Sequence, residues 1–149
     1  MKAVVVYDPV SKAKLTAKVA ETIATSLRVK GMEVTSAPVQ DAKHIKMEEY
    51  DPLVVGSPTM AWQPTKGTKD FLDPLAGKNL TGKKAASFDT QIKIFISGNA
   101  NKAMEAKLKD LGYNVAGPVL QAYVKGKKDD YKMVDGEVEK AGKWAEYLI

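Results

Sequence analysis

The sequence predicts an α/β fold, a three-layer, doubly wound parallel five-stranded sheet in the order 2-1-3-4-5. Short β-branched runs without a polar break, such as Lys2–Tyr7, are typical of strands buried on both faces. Segments with apolar residues four positions apart alternate with these runs, and the connections between them are short. Strands that alternate with helices pair in parallel through right-handed crossovers, so a ligand binds beyond their carboxyl ends.

Each predicted strand is a short apolar or β-branched run between turn-forming or polar residues. The most apolar of them is the third, whose sequence PLVVG starts after Asp51. The second is the run Glu33–Pro38, and the fourth follows the turn at Gly82. In order, the predicted strands are Lys2–Tyr7, Glu33–Pro38, Pro52–Gly56, Lys83–Asp89 and Val115–Val124.

The predicted helices follow from apolar stripes and from the residues that end them. The first helix has the stripe Leu15, Val19, Ile23 and Leu27, and Gly31 supplies its end. A second, short helix covers 65–72 and ends before Pro74; the third covers about 99–111, and the fourth covers 137–148. No linker, repeat or low-complexity segment interrupts the pattern, so we expect one domain over residues 1–149.

Composition excludes several classes of protein. The chain has no cysteine, which excludes disulfides, thiolate catalysis, iron–sulfur clusters and zinc–thiolate sites. The apolar run after Met1 ends at Asp8, too early for a signal-peptide core, and no stretch reaches the ~18 apolar residues of a membrane span. We therefore expect a cytoplasmic protein without a membrane partner.

The basic balance does not predict a nucleic-acid partner. The net charge is +5, but the lysines are scattered singly and in pairs among acidic residues. The densest run, 125–128, is followed at once by Asp129 and Asp130. Because aromatic and basic residues are not interleaved as in RNA-binding proteins, we interpret the lysines as solvated.

Several short motifs occur in a fixed order after the predicted strands. They are Gly56-Ser57-Pro58-Thr59, Phe88-Asp89-Thr90, Ser97-Gly98-Asn99-Ala100 and the tail Asp135-Gly136-Glu137…Ala141-Gly142-Lys143-Trp144. With these motifs at this spacing, nearly the whole chain resembles the short flavodoxin-like domains of archaea and bacteria. The resemblance implies non-covalently bound FMN, which passes electrons in that family.

In that family the first loop holds the FMN phosphate with a Ser/Thr-x-Thr-Gly-x-Thr pattern at a helix N-terminus. The corresponding residues here are Ser11, Lys12, Ala13, Lys14, Leu15 and Thr16. The two outer hydroxyls are retained, whereas Ala13 and Lys14 replace the inner threonine and the glycine. Two interpretations remain: a phosphate site that uses lysine charge, or a degenerate loop with solvated lysines. Either way, we expect weaker FMN binding than is usual in the family.

The resemblance also assigns the second and third loops to the flavin ring. The residues implied are Ser57, Pro58, Thr59, Met60, Ala61 and Trp62 in the second loop, and Asp89, Thr90 and Gln91 in the third. Met60 and Trp62 would contact the ring faces, although Trp62 in a loop is equally consistent with packing on a helix. The third loop would border the polar edge of the ring through its backbone. The apolar residues at 92 and 94–96 fit a flavin wall, a dimer contact or a strand extension.

The resemblance implies an electron carrier or a component of a flavin-dependent oxidoreductase, with no catalytic side chain and no metal site. Electron-carrying flavodoxins are typically acidic, whereas this chain carries +5. We therefore expect a redox partner with an acidic surface. The alternative is a flavodoxin-fold interaction module that has lost or weakened FMN binding. The oligomeric state stays open at this point.

Overall fold

A mostly parallel sheet lies between two layers of helices. The structure is a computed structural model that describes residues 2–9, 15–58, 64–92, 100–127 and 130–149. The described strands are β1 (Lys2–Tyr7), β2 (Glu33–Pro38), β3 (Leu53–Pro58), β4 (Lys84–Ile92), β5 (Asn114–Val115), β6 (Leu120–Lys127) and β7 (Asp130–Met133). The described helices are α1 (Leu15–Val29), α2 (Lys66–Leu72), α3 (Asn101–Asp110) and α4 (Glu137–Trp144).

The sheet has the predicted topology. Among the described residues its strand order is β2-β1-β3-β4-β6-β7, and β5 also pairs with β4. All of these pairs are parallel except β6 with β7, which is antiparallel. The three-layer α/β fold and the order 2-1-3-4 are therefore confirmed, with β5 and β6 beside β4 where the fifth strand was predicted.

The last predicted strand, 115–124, is divided into two. β5 pairs with Lys84 and Ala85, whereas β6 begins opposite Phe88. Gly117 between them has a φ of +66°, and Pro118 has no N–H to donate, so neither residue extends a paired strand. The edge strand β7 was not predicted, because its four residues DYKM contain no apolar run.

Apolar residues of the central strands point alternately into two cores. Ala3 and Val5 of β1 pack in the core that α1 and α4 cover. Val4 and Val6 pack in the second core, beneath α2 and α3. All four residues are fully buried, which explains why the sequence of β1 has no polar break. The two cores hold the strand ends in a fixed order and so position the connections that follow β1, β3 and β4.

None of the helices described is long and apolar enough to cross a bilayer.

Candidate functional site

Connections from the carboxyl ends of β1, β3 and β4 emerge side by side, since these strands are neighbours in the sheet. We call them loop 1 (9–14), loop 2 (59–64) and loop 3 (93–100). Residues 10–14, 59–63 and 93–99 lie outside the described residues. The predictions for Ser11, Lys12, Ala13, Lys14, Thr59, Met60, Ala61 and Trp62 therefore remain predictions, as do those for residues 94–96. The residues that flank the loops are described, and they define the site.

Two buried hydroxyl side chains close the base of loop 2. The backbone N–H of Thr65 donates to Oγ of Ser57 at 3.0 Å, and this Oγ donates to the carbonyl of Pro58 at 2.8 Å. Thr65 is also the N-cap of α2, because its Oγ1 accepts from the backbone N–H of Thr68 at 3.2 Å. Both ends of loop 2 are thus fixed to each other and to the start of α2.

A buried carboxylate joins the bases of loops 1 and 2. Asp8 follows β1 directly and is 1% exposed, and its Oδ2 accepts a hydrogen bond from Oγ1 of Thr65. Its backbone N–H donates to the carbonyl of Gly56 in β3, at 3.0 Å. Gly67, in the first turn of α2, lies so close that a Cβ there would be 2.6 Å from Oδ2. The end of β1 and the start of α2 therefore meet at this carboxylate.

A pair of hydroxyls joins the end of loop 1 to β4. Thr16, in the first turn of α1, has its Oγ1 2.7 Å from Oγ1 of Thr90, and both residues are buried. A hydroxyl has one proton and two lone pairs. Thr16 is therefore free to donate to a phosphate oxygen only when Thr90 donates to Thr16. The structure thus makes neighbours of two predicted cofactor residues that the sequence analysis assigned to different loops.

Asp89 closes the base of loop 3. Its Oδ2 accepts from the backbone N–H of Ala100 at 3.2 Å, and Nε2 of Gln91 donates to both carboxylate oxygens, at 3.0 and 2.9 Å. The structure differs from the prediction here, because β4 continues through Ile92. Residues 89–91 pair with β6, and residues 89 and 90 also pair with β3, so they belong to the sheet and not to the loop.

The helix starts around the three loops contribute partial positive charge, beside the buried carboxylates of Asp8 and Asp89. The first turns of α1, α2 and α3 contain no acidic residue. The partial positive charge of their backbone N–H groups is therefore not offset by a side chain in that turn. By contrast, the first turn of α4, farther along the sheet, carries Glu137 and Glu139. The α1 end of the site favours an anion.

The described part of the chain contains no group of three His, Asp or Glu side chains that could hold a metal ion.

A separate cavity of about 820 Å³ lies between the start of β6 and the end of α4. Nε1 of Trp144 donates to the carbonyl of Pro118 at 2.7 Å, which fixes the indole as part of the wall. The cationic Lys140 and Lys143 line it together with the anionic Glu146, so the walls hold charges of both signs. None of the described residues that were predicted to bind FMN lines this cavity.

Two residues of the site, Asp8 and Thr65, were not predicted from the sequence. Both lie at the ends of loops and not within the loop motifs. The signals were an aspartate directly after a buried strand, and a Thr-x-x-Thr segment with a glycine inside a short helix. Neither signal says which side chains meet, because that depends on the order of β1 and β3 in the sheet.

No protein-family model matches the sequence, and no curated protein is significantly similar to it. Solved structures do match it over nearly the whole length. A flavodoxin from the domain Archaea is 26% identical, with a TM-score of 0.79 over 97% of this chain and 94% of that one. Flavodoxin 1 from Bacillus cereus is 24% identical, with a TM-score of 0.83 over 99% and 97%. Rubredoxin oxygen:oxidoreductase from Desulfovibrio gigas, 21% identical, matches 99% of this chain with 35% of its own length (TM-score 0.74).

The fold, with loops 1 to 3 at the carboxyl edge of its sheet, is that of a flavodoxin-like protein. The archaeal and bacterial flavodoxins among its structural neighbours support a flavoprotein at the level of the fold.

Proposed function

We propose that the chain binds FMN without a covalent bond and carries electrons through it. The observation that carries the proposal is the joining of the three loop bases beside the start of α1. Thr16 lies in that first turn, bonded to Thr90, and the turn holds no acidic side chain. The backbone N–H groups of a helix start, together with a hydroxyl, are suited to a phosphate dianion. The described residues therefore fit the cofactor.

The residues we assign to FMN divide into two groups. Ser11 and Thr16 would bind the phosphate by hydrogen bonds, with charge from Lys12 and Lys14. Met60 and Trp62 would enclose the flavin ring, and the protein around it would tune its potential by electrostatics. Bound FMN supplies the redox chemistry, taking up and releasing one or two electrons. In this proposal, no side chain of the protein acts as an acid or a base.

The proposed role is that of an electron carrier or of a component of a flavin-dependent oxidoreductase in the cytoplasm. The net charge of +5 and the acid-free helix starts around loops 1 to 3 support a redox partner with an acidic surface.

Titration of the apo-protein with FMN tests the proposal. We expect quenching of flavin and tryptophan fluorescence with a Kd of about 1 μM, roughly 4 kcal/mol weaker than a nanomolar site. Thr16→Val should raise the Kd about tenfold by removing a hydrogen bond to a charged group, whereas Thr16→Ser should leave it within about twofold. No quenching at high micromolar FMN would contradict the proposal.

The second candidate is an interaction module that holds no flavin. Ala13 and Lys14 favour it, because they remove a hydroxyl and a glycine from the usual phosphate pattern. In that case, the folded protein would give the same circular dichroism and thermal unfolding with and without FMN.

A further inference from the structure

We propose that Asp8 is a positioning residue that joins the base of loop 2 to the base of loop 1. The inference rests on the proposed function, since loop 1 would hold the phosphate of FMN and loop 2 its ring. Through this one side chain, the placement of the ring-side loop would depend on the base of the phosphate-side loop.

The contact lies at a junction of three elements. Thr65 donates through Oγ1 to Oδ2 of Asp8, and the same Oγ1 accepts from the backbone N–H of Thr68. The backbone N–H of Thr65 donates to Ser57, at the other end of loop 2. A change at the carboxylate is therefore transmitted to the start of α2 and to both ends of loop 2.

Charge makes this contact stronger than a link between two neutral hydroxyls. Hydrogen bonds to an ionised carboxylate are shorter and stronger than neutral ones, and a buried carboxylate is costly unless it is hydrogen-bonded. Asp8 is almost completely buried, so its surroundings strongly favour the arrangement that satisfies it. The donor from Thr65 is part of that arrangement.

Gly67 is an independent sign that the carboxylate needs this position. Glycine within a helix is less stable than alanine, so its presence in α2 requires a reason. A Cβ at residue 67 would lie 2.6 Å from Oδ2 of Asp8 and 3.4 Å from Cγ2 of Val39. The missing side chain leaves room for the carboxylate beside the first turn of α2.

The first experiment measures flavin binding by the full chain. Thr65→Val removes the donor and should raise the Kd about tenfold for both FMN and riboflavin, because the ring side is displaced while the phosphate ligands remain. Thr65→Ser keeps the hydroxyl and should stay within about twofold. Gly67→Ala, which keeps both partners but crowds the carboxylate, should weaken binding less than Thr65→Val does. A lower unfolding temperature with an unchanged Kd would mean a merely structural role and would overturn the inference.

A double-mutant cycle tests whether Asp8 and Thr65 act as one unit. Asp8→Asn together with Thr65→Val should raise the Kd by less than the product of the two single effects, because both substitutions remove the same contact. If the Kd of the double variant rises by the full product of the two single effects, Asp8 and Thr65 act independently, and the inference is contradicted.

Hydrogen–deuterium exchange of the apo-protein separates this inference from the proposed function. Thr65→Val should speed amide exchange in peptides from 9–14 as well as from 59–64. If the unmodified protein binds no flavin but shows this coupled exchange, the proposed function fails and the link stands. If flavin binds and exchange in 9–14 is unchanged by Thr65→Val, the link fails and the proposed function stands.

Discussion

At the scale of single residues, most polar side chains that the structure describes as buried have a hydrogen-bond partner, as Asp8, Thr16 and Asn101 do. Tyr113 is different. It is 4% exposed, and its hydroxyl has no hydrogen-bond partner among the described residues. Burial raises the pKa of Tyr113 well above its usual range, and the nearby charges of Asp51 and Glu48 add to the shift. The neutral phenol is therefore the form that the folded protein contains.

We expect Tyr113→Phe to change the free energy of unfolding by less than about 1 kcal/mol at pH 7, because an unpaired buried hydroxyl contributes little. The pKa of Tyr113 is higher in the folded protein than in the unfolded chain, where it is about 10. The folded protein therefore keeps its full stability below pH ~10 and loses stability as the pH rises further, because the unfolded chain releases the phenol proton first. Urea unfolding between pH 7 and pH 11 should show a smaller alkaline loss in the variant. Tyr147→Phe, at an exposed tyrosine, is the matched control and should leave the alkaline loss unchanged.

A second residue-scale prediction concerns the charge of loop 1. Lys14→Ala should weaken FMN binding about fivefold at low salt, roughly 1 kcal/mol, and the difference should shrink as salt screens the phosphate. Riboflavin, which has no phosphate, should bind both proteins equally. Lys30→Ala removes an exposed lysine beyond the far end of α1 and serves as the control. An equal loss of riboflavin affinity would show that Lys14 acts on the ring and not through phosphate charge.

At the scale of elements, Asn101 explains how the sheet resumes after the gap between β5 and β6. This fully buried residue begins α3, and its Oδ1 accepts from Oγ of Ser87 in β4 at 2.9 Å. Its Nδ2 donates to the carbonyl of Leu120, the first residue of β6, at 2.8 Å. One amide thus ties the start of a helix to two neighbouring strands.

Replacing this amide should separate those elements. We expect Asn101→Ala to lower the free energy of unfolding by about 2 kcal/mol, because it leaves a buried hydroxyl and a carbonyl without this partner. Ser87→Ala removes only one of the two bonds and should lower it by about 1 kcal/mol. Urea unfolding at pH 7 measures both, with the exposed Lys109→Ala as the control in the same helix. Equal values for Asn101→Ala and the control would show that the amide is not a tie between elements.

The periodicity of the sequence was enough to predict most of the elements. β1 and β2 have the predicted bounds, because their apolar or β-branched runs begin and end at clear polar or turn residues. The predicted end of β4 was wrong, since Thr90 and Gln91 are polar yet belong to the strand: Thr90 pairs with β3 and β6, and Gln91 pairs with β6. The predicted strand 115–124 is divided in the structure, because Gly117 and Pro118 lie inside its apolar run but do not extend a paired strand.

From the sequence, we could predict the location of the site at the strand ends and the loops that form it, but not the contacts between its side chains. The alternation of strands and helices predicted which strand ends meet, and the motifs singled out Thr16 and Thr90 separately. Their hydrogen bond joins residues 74 positions apart, so no local pattern contains it. Asp8 and Thr65 were missed for the same reason, since they lie 57 positions apart in the chain.

At the scale of the whole molecule, the helix starts beside the site differ in charge from the segment that precedes β3. The helix starts beside loops 1 to 3 are free of acids, and loop 1 adds two lysines. Glu48, Glu49 and Asp51 lie before β3, at the opposite edge of the sheet. We expect a positive field at the site, which would attract anions and repel cations from the proposed flavin.

Small reductants of opposite charge should therefore respond oppositely to salt. Reduction of the FMN-loaded protein by anionic dithionite should slow as ionic strength rises, whereas reduction by the methyl viologen radical cation should accelerate. Stopped-flow absorbance of the flavin measures both rates, and free FMN provides the reference for the intrinsic effect of salt. If rising ionic strength changes both reduction rates in the same direction, after correction for the effect of salt on free FMN, the site is not positively charged.

The hydrogen bonds beneath loops 1 to 3 also bear on how such a protein changes over evolutionary time. Ser57 and Thr65 close loop 2 at its base, and Asp89 and Ala100 close loop 3, so the ends of these two loops are fixed by hydrogen bonds between described residues. We therefore expect substitutions between these closures to alter ligand preference before they threaten folding. For directed evolution, loops 1 to 3 are the segments to randomise, with Asp8, Thr16, Thr65 and Asp89 held constant.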